Sequence, residues 1–419
     1  MRKKKLATGL ILVTALGLAG CTAVTDESTT NLTIESYRTE DAALWNNEII
    51  PLFEKEHPEI SVEFTPTKNT EFNAALESRL AGGTAGDLIM CRAFDISLAL
   101  YDKGYFEPLT DQAGLENFSD LNLSAWRGAD DTQYCLPMAS VIHGFYYNKA
   151  IFAELGLSEP KTVDEFMNVL ETIEAAGDVD PLAWGTGDTW TAYETAYSNI
   201  GPTYWKGEEG RQGLLDGTKK FTDPEFVEAW EALDAWQPYF PDGYESVRYT
   251  DTQQLFTLGR AAIYPGGSWE ITGFEAAPFE IGIFAPPVVN EGDQCYISDH
   301  TDHGLGINSD SPNKEAAAVF LEWLAGTEFA SAYANVLPGF FPLTTEEINV
   351  ENEIAQEFLS FREDCDETVR LVVEELSAGE PNTGNSLGLY TAELWNGNLT
   401  PNEVATEVQS GLDSWFYNR

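Results

Sequence analysis

The chain has 419 residues, of which 69 are acidic and 23 are basic, and its formal net charge is −46. Because a surface of this sign repels phosphates, the composition excludes nucleic acid and anionic lipid headgroups as partners. A hydrophobic content of 43% and an aromatic content of 12% indicate a folded protein rather than an acidic disordered tail.

The N-terminus has the composition of an export signal. Four basic residues precede an apolar run of about 13 residues, which is too short to cross a bilayer as a helix. Leu18, Ala19, Gly20 and Cys21 follow and match a bacterial lipobox. We therefore expect residues 1–20 to be a cleaved signal peptide and Cys21 to carry the lipid that anchors the chain to the cell membrane, outside the cytoplasm. The polar residues 21–31 are expected to form a flexible tether.

The first part of the mature chain alternates strand and helix patterns. Strands are predicted at 32–37, 60–64 and 88–90, with helices between them at 41–56 and 71–80. Such alternation favours α/β layers around a largely parallel sheet.

The second part of the chain continues the mixed pattern without a repeat or a long linker. Strands are predicted at 145–147, 261–264, 281–284 and 305–307, and helices at 162–176, 224–236, 313–324, 345–362 and 401–416. Two lobes joined by strands fit this organisation better than two independently tethered domains.

Four cysteines besides Cys21 can form disulfides outside the cytoplasm, with three possible connectivities. The pair Cys91 and Cys135 is preferred because both residues fall in the same predicted lobe. Free buried thiols are the alternative.

The search for catalytic signatures is mostly empty. The sequence lacks a phosphate-binding P-loop, a H-E-x-x-H helix and a C-x-x-C pair. The segment 299–303 contains His300 and His303 with two aspartates and could ligate a metal, but we interpret it as a solvated loop before the strand at 305–307. No cofactor and no metal are expected.

Several aromatic residues lie beside glycine turns, among them Trp190 and Trp269. An aromatic face can pack against the C–H face of a pyranose ring while carboxylates and amides bond the hydroxyls. A core position is the common alternative for any single aromatic residue.

Five segments, in order, resemble the sugar-binding class of extracellular solute-binding proteins, the maltodextrin-binding type. They are residues 45–62, 81–89, 134–166, 259–269 and 308–317. The resemblance implies a type II periplasmic-binding-protein fold, α/β, with two lobes, hinge-crossing segments near 140–143, 283–287 and 335–341, and a ligand held between the lobes. It places 32–140 plus 286–336 in the first lobe and 143–283 plus 341–419 in the second.

The resemblance also implies site residues. Trp269 matches the stacking tryptophan of the family motif, and Asp188 and Trp190 lie in a loop where members place a polar and an aromatic contact. Loops after the first and third strands add further candidates. The full predicted set is Arg38, Glu40, Asp41, Arg92, Asp95, Asp188, Trp190, Trp269 and Phe340. The segment 140–143 lacks the carboxylate that maltodextrin binders use there, which argues against maltodextrin itself.

The resulting hypothesis is a monomeric, non-enzymatic, lipid-anchored receptor. It would bind a mono- or oligosaccharide and deliver it to the permease subunits of an ABC importer. The alternatives are a lipid-anchored carbohydrate-active hydrolase and a receptor of the same fold for a non-sugar ligand such as a polyamine or a metal.

Overall fold

The computed structural model describes residues 29–93, 95–371 and 376–417, with the side chain of Asp95 also left out. The predicted signal peptide, the lipidation site at Cys21 and most of the predicted tether lie outside the described residues. No helix within the described ranges is long and apolar enough to span a bilayer.

The described residues alternate strands and helices along most of the chain. The strands are β1 (Thr30–Ser36), β2 (Ile60–Pro66), β3 (Leu88–Arg92), β4 (Leu136–Asn148), β5 (Asp180–Leu182), β6 (Ala261–Gly267), β7 (Ile281–Phe284), β8 (Tyr296–Ile307), β9 (Phe341–Pro342) and β10 (Asp366–Thr368). The α-helices are α1 (Ala42–Leu44), α2 (Ile50–Glu56), α3 (Asn69–Ala81), α4 (Asp95–Asp102), α5 (Asp120–Ser124), α6 (Lys149–Leu155), α7 (Val163–Ala176), α8 (Ser198–Trp205), α9 (Glu208–Asp216), α10 (Pro224–Asp234), α11 (Tyr249–Thr257), α12 (Ile271–Phe274), α13 (Lys314–Leu324), α14 (Thr327–Val336), α15 (Glu353–Asp364), α16 (Thr383–Trp395) and α17 (Pro401–Asp413).

Capping interactions explain where helices α7 and α17 begin. Helix α7 begins after Thr162, whose hydroxyl accepts from the Glu165 amide while the Glu165 carboxylate accepts from the Thr162 amide. Thr400 and Glu403 form the same reciprocal pair at the start of α17. Each pair satisfies amides that a helix N-terminus otherwise leaves unbonded.

The strands form one mixed sheet in the order β2-β1-β3-β8-β4-β6-β5. The pairs β1–β2, β1–β3 and β5–β6 are parallel, while β4 and β8 run antiparallel to their neighbours on this path. The sheet is therefore less parallel than the sequence predicted. Its central strands are antiparallel because they connect the two halves rather than repeat a strand-helix-strand unit.

Separate hydrophobic cores lie on the two halves of the sheet. One core draws on residues 32–141 and 305–343, and a second on residues 145–284 and 371–412. A third cluster contains Ile142, Ile297, Ala334 and Phe341. Ile297 and Ala334 belong to the segment assigned to the first lobe from the sequence, so that boundary runs through packed residues.

Two expectations about local structure are wrong. The segment 299–303 is not a solvated loop, because it lies inside β8, and His300 and His303 are fully buried. The helix expected at 345–362 begins only at Glu353, after an irregular stretch, because Asn352 caps it there by accepting from the Ala355 amide.

Two disulfides join the four cysteines. Cys91 is bonded to Cys135, the pair preferred from the sequence, with Cα atoms 6.6 Å apart. Cys295 is bonded to Cys365 with Cα atoms 4.8 Å apart. The first links β3 to the start of β4, and the second links the start of β8 to the end of α15.

Candidate functional site

A cleft of about 770 Å³ opens between the two cores. Its lining comes from the ends of β1 and β3 and from α3 on one side, and from the loop before α8, the start of α11, the turn after β6 and helix α16 on the other. Because loops at strand ends converge here, the cleft has the position expected of a ligand site in an α/β sheet.

Trp269 forms part of the wall and is held there by its neighbours. It lies in a short turn after β6, and its indole Nε1 is 3.2 Å from both Tyr249 Oη and Glu270 Oε1. A side chain at Gly267 would collide with the indole, since a Cβ there would lie 2.0 Å from Trp269 Cζ3. Gly339 has φ +99° and its Cα faces the Ser268 carbonyl so closely that a Cβ would lie 1.9 Å from that oxygen.

Glu270 organises this aromatic wall from behind. Its carboxylate is buried and accepts hydrogen bonds from Tyr249 Oη, Tyr264 Oη and Gln253 Nε2, each at 2.7 Å. Burial raises the pKa of Glu270, although the three donors oppose the rise. The glutamate therefore fixes the orientation of Trp269 and Tyr249 without lining the cleft itself.

Trp190 and Asp188 lie in the loop where the sequence predicted them, and both line the cleft. The Trp190 ring meets the Tyr249 ring edge to face, with centroids 4.9 Å apart. Asp188 Oδ2 accepts from the Tyr249 amide at 3.1 Å. Three aromatic side chains, Trp190, Tyr249 and Trp269, thus form one continuous surface.

Arg38 lines the cleft, but the other candidates beside it do not. Its guanidinium bonds both carboxylate oxygens of Asp41, at 2.7 and 3.1 Å, and pairs with Glu40 at 2.7 Å. Asp41 is buried, and Phe340 lies beneath Arg38 with its ring centroid 4.8 Å from the guanidinium carbon. The structure therefore places Glu40, Asp41 and Phe340 around Arg38 rather than on the cleft lining.

Arg92 lines the same side of the cleft as Arg38. Its guanidinium stacks on Tyr37, 3.8 Å from the ring centroid, and donates to Asn73 Oδ1 at 3.0 Å and Asn69 Oδ1 at 2.9 Å. Asp95 begins the next helix, and its side chain lies outside the described atoms.

A buried charged cluster lies at the floor of the cleft. Glu194, in a π-helical turn at Ala192–Tyr197, pairs with Arg370 at 2.9 Å and lies 3.6 Å from His143 and 3.5 Å from His300. Burial by itself raises the pKa of Glu194, but the Arg370 guanidinium and the two imidazoles outweigh it and lower the pKa to about 2. Burial, reinforced by Arg370, lowers the pKa of His300 well below its usual value.

His143, Glu194 and His300 are also the one group among the described residues with metal-ligand spacing. Arg370 Nη2 lies 2.7 Å from His300 Nε2 as well as beside Glu194, so a guanidinium occupies the position where an ion would sit. The arrangement fits a salt-bridge network better than a metal centre.

The sequence missed several cleft residues: Tyr37, Asn69, Asn73, Glu194, Tyr249 and Arg370. Tyr249 follows Arg248 at the start of α11, and no local motif marks it. Among these missed residues, Glu194 lies on a π-helical turn, a feature often found at functional sites. A sequence does not reveal such a turn.

Chemically, the site pairs an aromatic surface with amide, guanidinium and carboxylate groups and has no activated nucleophile among its described residues. Such a cleft between two cores defines a receptor that encloses a polar ligand. Residues 35–330 match the family described as bacterial extracellular solute-binding protein. The chain therefore belongs to this family of receptors, and the family assigned by resemblance is confirmed.

Individual relatives agree with this assignment. The chain is 25% identical over 346 residues to the "Multiple sugar-binding protein" of Streptococcus mutans serotype c, covering 78% of this chain and 80% of that protein. It is 26% identical over 265 residues to an "Uncharacterized ABC transporter extracellular-binding protein" of Pyrococcus horikoshii, covering 61% of each. A solved structure, "SBP RafE in complex with raffinose", superposes with a TM-score of 0.75 at 23% identity, over 92% of this chain and 99% of that one. The two-lobed α/β fold predicted from the sequence is confirmed.

Proposed function

We propose that this chain is an extracytoplasmic lipoprotein that captures a mono- or oligosaccharide between its lobes and delivers it to the permease of an ABC importer. The observation that carries the proposal is that the aromatic surface of Trp190, Tyr249 and Trp269 and the polar side chains of Arg92, Asn69 and Asn73 line one cleft. An aromatic face suits the C–H face of a sugar ring, and the amides and guanidinium suit its hydroxyls. The relative from Streptococcus mutans, named for sugar binding, supports this ligand class.

Delivery requires no bond to be made or broken. A ligand that contacts both lobes binds the closed form better than the open form, and so shifts the equilibrium towards closure. The permease then recognises the closed complex. A monomer is sufficient for this role, and no cofactor enters it.

A thermal-shift screen of the mature protein against neutral and acidic sugars, polyamines and divalent metals tests the ligand class. We expect at least one saccharide to stabilise the folded state by about 2.7 kcal/mol when its concentration is 100 times its Kd. Stabilisation by a polyamine or a metal alone would favour a non-sugar receptor. Release of reducing ends from glycosides or polysaccharide would favour the hydrolase.

The lipid anchor is tested separately at Cys21. We expect the chain expressed in a bacterium with a lipoprotein pathway to be recovered with membranes, and Cys21→Ser to leave it uncleaved or released in soluble form. The Cys295→Ser variant is the control, since it removes a thiol of the second disulfide but leaves the lipobox intact. Equal membrane recovery of the wild type and Cys21→Ser would contradict the anchor.

A further inference from the structure

Arg92 differs from the other two arginines that line the cleft. Arg38 is neutralised by Asp41 and Glu40, and Arg370 pairs with Glu194. Arg92 has no carboxylate oxygen of a described residue within 4.0 Å of its guanidinium. Its hydrogen-bond acceptors are the neutral side-chain oxygens of Asn69 and Asn73 and the Asn69 backbone carbonyl.

The surroundings of Arg92 disfavour its positive charge, so the lack of a nearby carboxylate is energetically unfavourable. Burial lowers the pKa of Arg92, and the cations Arg370 and Arg38 lower it further, while Tyr37 and Asp302 oppose the change. Asp302 already accepts from His303 Nδ1 at 2.8 Å and from Tyr37 Oη at 3.1 Å. Arg92 is half-buried. Charges withdrawn from water in proteins are as a rule paired with an opposite charge, so the wall holds a cation that lacks a direct counter-ion.

The guanidinium is nevertheless held rigidly. The Tyr37 ring supports one face at 3.8 Å, and the asparagine oxygens fix Nε and Nη2. Nη1 makes no hydrogen bond to any residue in the described part of the chain. The two N–H groups of Nη1 are therefore the donors left for a ligand, and a charge-assisted bond from them to a carboxylate is stronger than a bond to a neutral hydroxyl.

We propose that the saccharide bound in this cleft is acidic and that its carboxylate, as in a hexuronic acid, is the counter-ion of Arg92. The inference rests on the proposed function, since it specifies the class of sugar at the same site. The aromatic surface of Trp190, Tyr249 and Trp269 then packs against a sugar ring, and Arg92 binds the acidic group of the same ligand.

The overall charge of −46 does not oppose this ligand inside the cleft. Charges farther away than about 10 Å are screened at 0.1 M salt, whereas the contact with Arg92 is direct. The cleft lining itself carries three arginines against the carboxylates of Asp188, Glu194 and Asp302. Its charge is therefore balanced, unlike that of the rest of the molecule.

Isothermal titration calorimetry with matched sugars tests the inference. The probes are galacturonate with galactose, glucuronate with glucose, and a digalacturonate with a neutral galactose disaccharide. We expect the acidic member of at least one pair to bind at least tenfold more tightly than its neutral partner. Arg92→Gln should remove that preference and Arg92→Lys should retain part of it, since lysine keeps the charge but lacks the planar group that fixes the Nη1 donors.

Arg79→Gln is the matched control, because Arg79 pairs with Glu35 at 2.6 Å and does not line the cleft. It should leave the preference for the acidic sugar unchanged, and circular dichroism of each variant establishes that it is folded. Tighter binding of the neutral member in every pair, or an equal loss for both members in Arg92→Gln, would overturn the acidic class while leaving sugar binding intact. If no saccharide of either kind bound, both proposals would fall.

Discussion

Replacing Trp269 with alanine is expected to nearly abolish the stabilisation that the saccharide confers. The indole is half-buried, lines the cleft and is fixed by Tyr249, Glu270 and the backbone of Gly267. Removing it deletes the stacking face and widens the site. If affinity falls about 100-fold, ligand at 100 times the original Kd stabilises the variant by only about 0.4 kcal/mol instead of about 2.7 kcal/mol.

The measurement is the melting temperature with and without saccharide. Trp415→Ala is the matched control, since Trp415 is also half-buried but does not line the cleft. It should lower the melting temperature of the free protein and leave the rise with saccharide unchanged. Trp269→Phe should retain part of the rise, because a smaller aromatic face remains. A full rise in Trp269→Ala would remove this tryptophan from the binding site.

The parts of the fold that local sequence specifies were predicted well. Helix α7 begins where Thr162 and Glu165 form a capping pair, and β1, α3 and β3 occur in the predicted order. Caps, turns and hydrophobic periodicity act over a few residues, so a sequence displays them directly.

The lengths of the central strands β4 and β8 were underestimated, because the environment of these strands is set by residues that are distant in sequence. All 13 residues of β4 are buried, so the strand shows no alternation of polar and apolar positions. Strand β8 contains Asp299, His300 and His303, a polar run that is typical of a loop. These polar side chains are buried only because Arg362, Glu194, Arg370 and Tyr333, all remote in sequence, bond or pair with them.

The candidate site was likewise predictable only where a local feature of the sequence marks a residue. Arg38, Arg92, Asp188, Trp190 and Trp269 line the cleft, and each follows a strand or accompanies a glycine turn that the sequence shows. Tyr249 and Glu194 lie on helical segments whose approach to the cleft depends on how the second core packs. Phe340 has a similar glycine context, yet it packs beneath Arg38, because a turn signal does not specify which way a side chain points.

The largest effect on stability is expected at Glu194. Its pKa of about 2 in the folded protein compares with 4.5 for an unperturbed glutamate, so the folded state favours the carboxylate. This contribution is fully present above pH 4.5 and is lost as the pH falls towards 2, because the unfolded chain binds the proton first. The difference corresponds to about 3 kcal/mol at pH 7. Glu194→Gln lacks the charge and should be destabilised by a similar amount at neutral pH.

Chemical denaturation at several pH values measures this effect. The gap in unfolding free energy between the wild type and Glu194→Gln should narrow by about 1 kcal/mol between pH 7 and pH 4, because the wild type alone loses the contribution. Glu280→Gln is the control, since Glu280 pairs with Lys149 at an exposed site, and exposed pairs contribute at most about 1 kcal/mol. A gap that stayed constant from pH 7 to pH 4 would show that Arg370 and the two histidines do not favour the ionised carboxylate. If the gap narrows, the network at the floor of the cleft depends on a buried anion, which the folded protein keeps at pH 4 even as its stability falls.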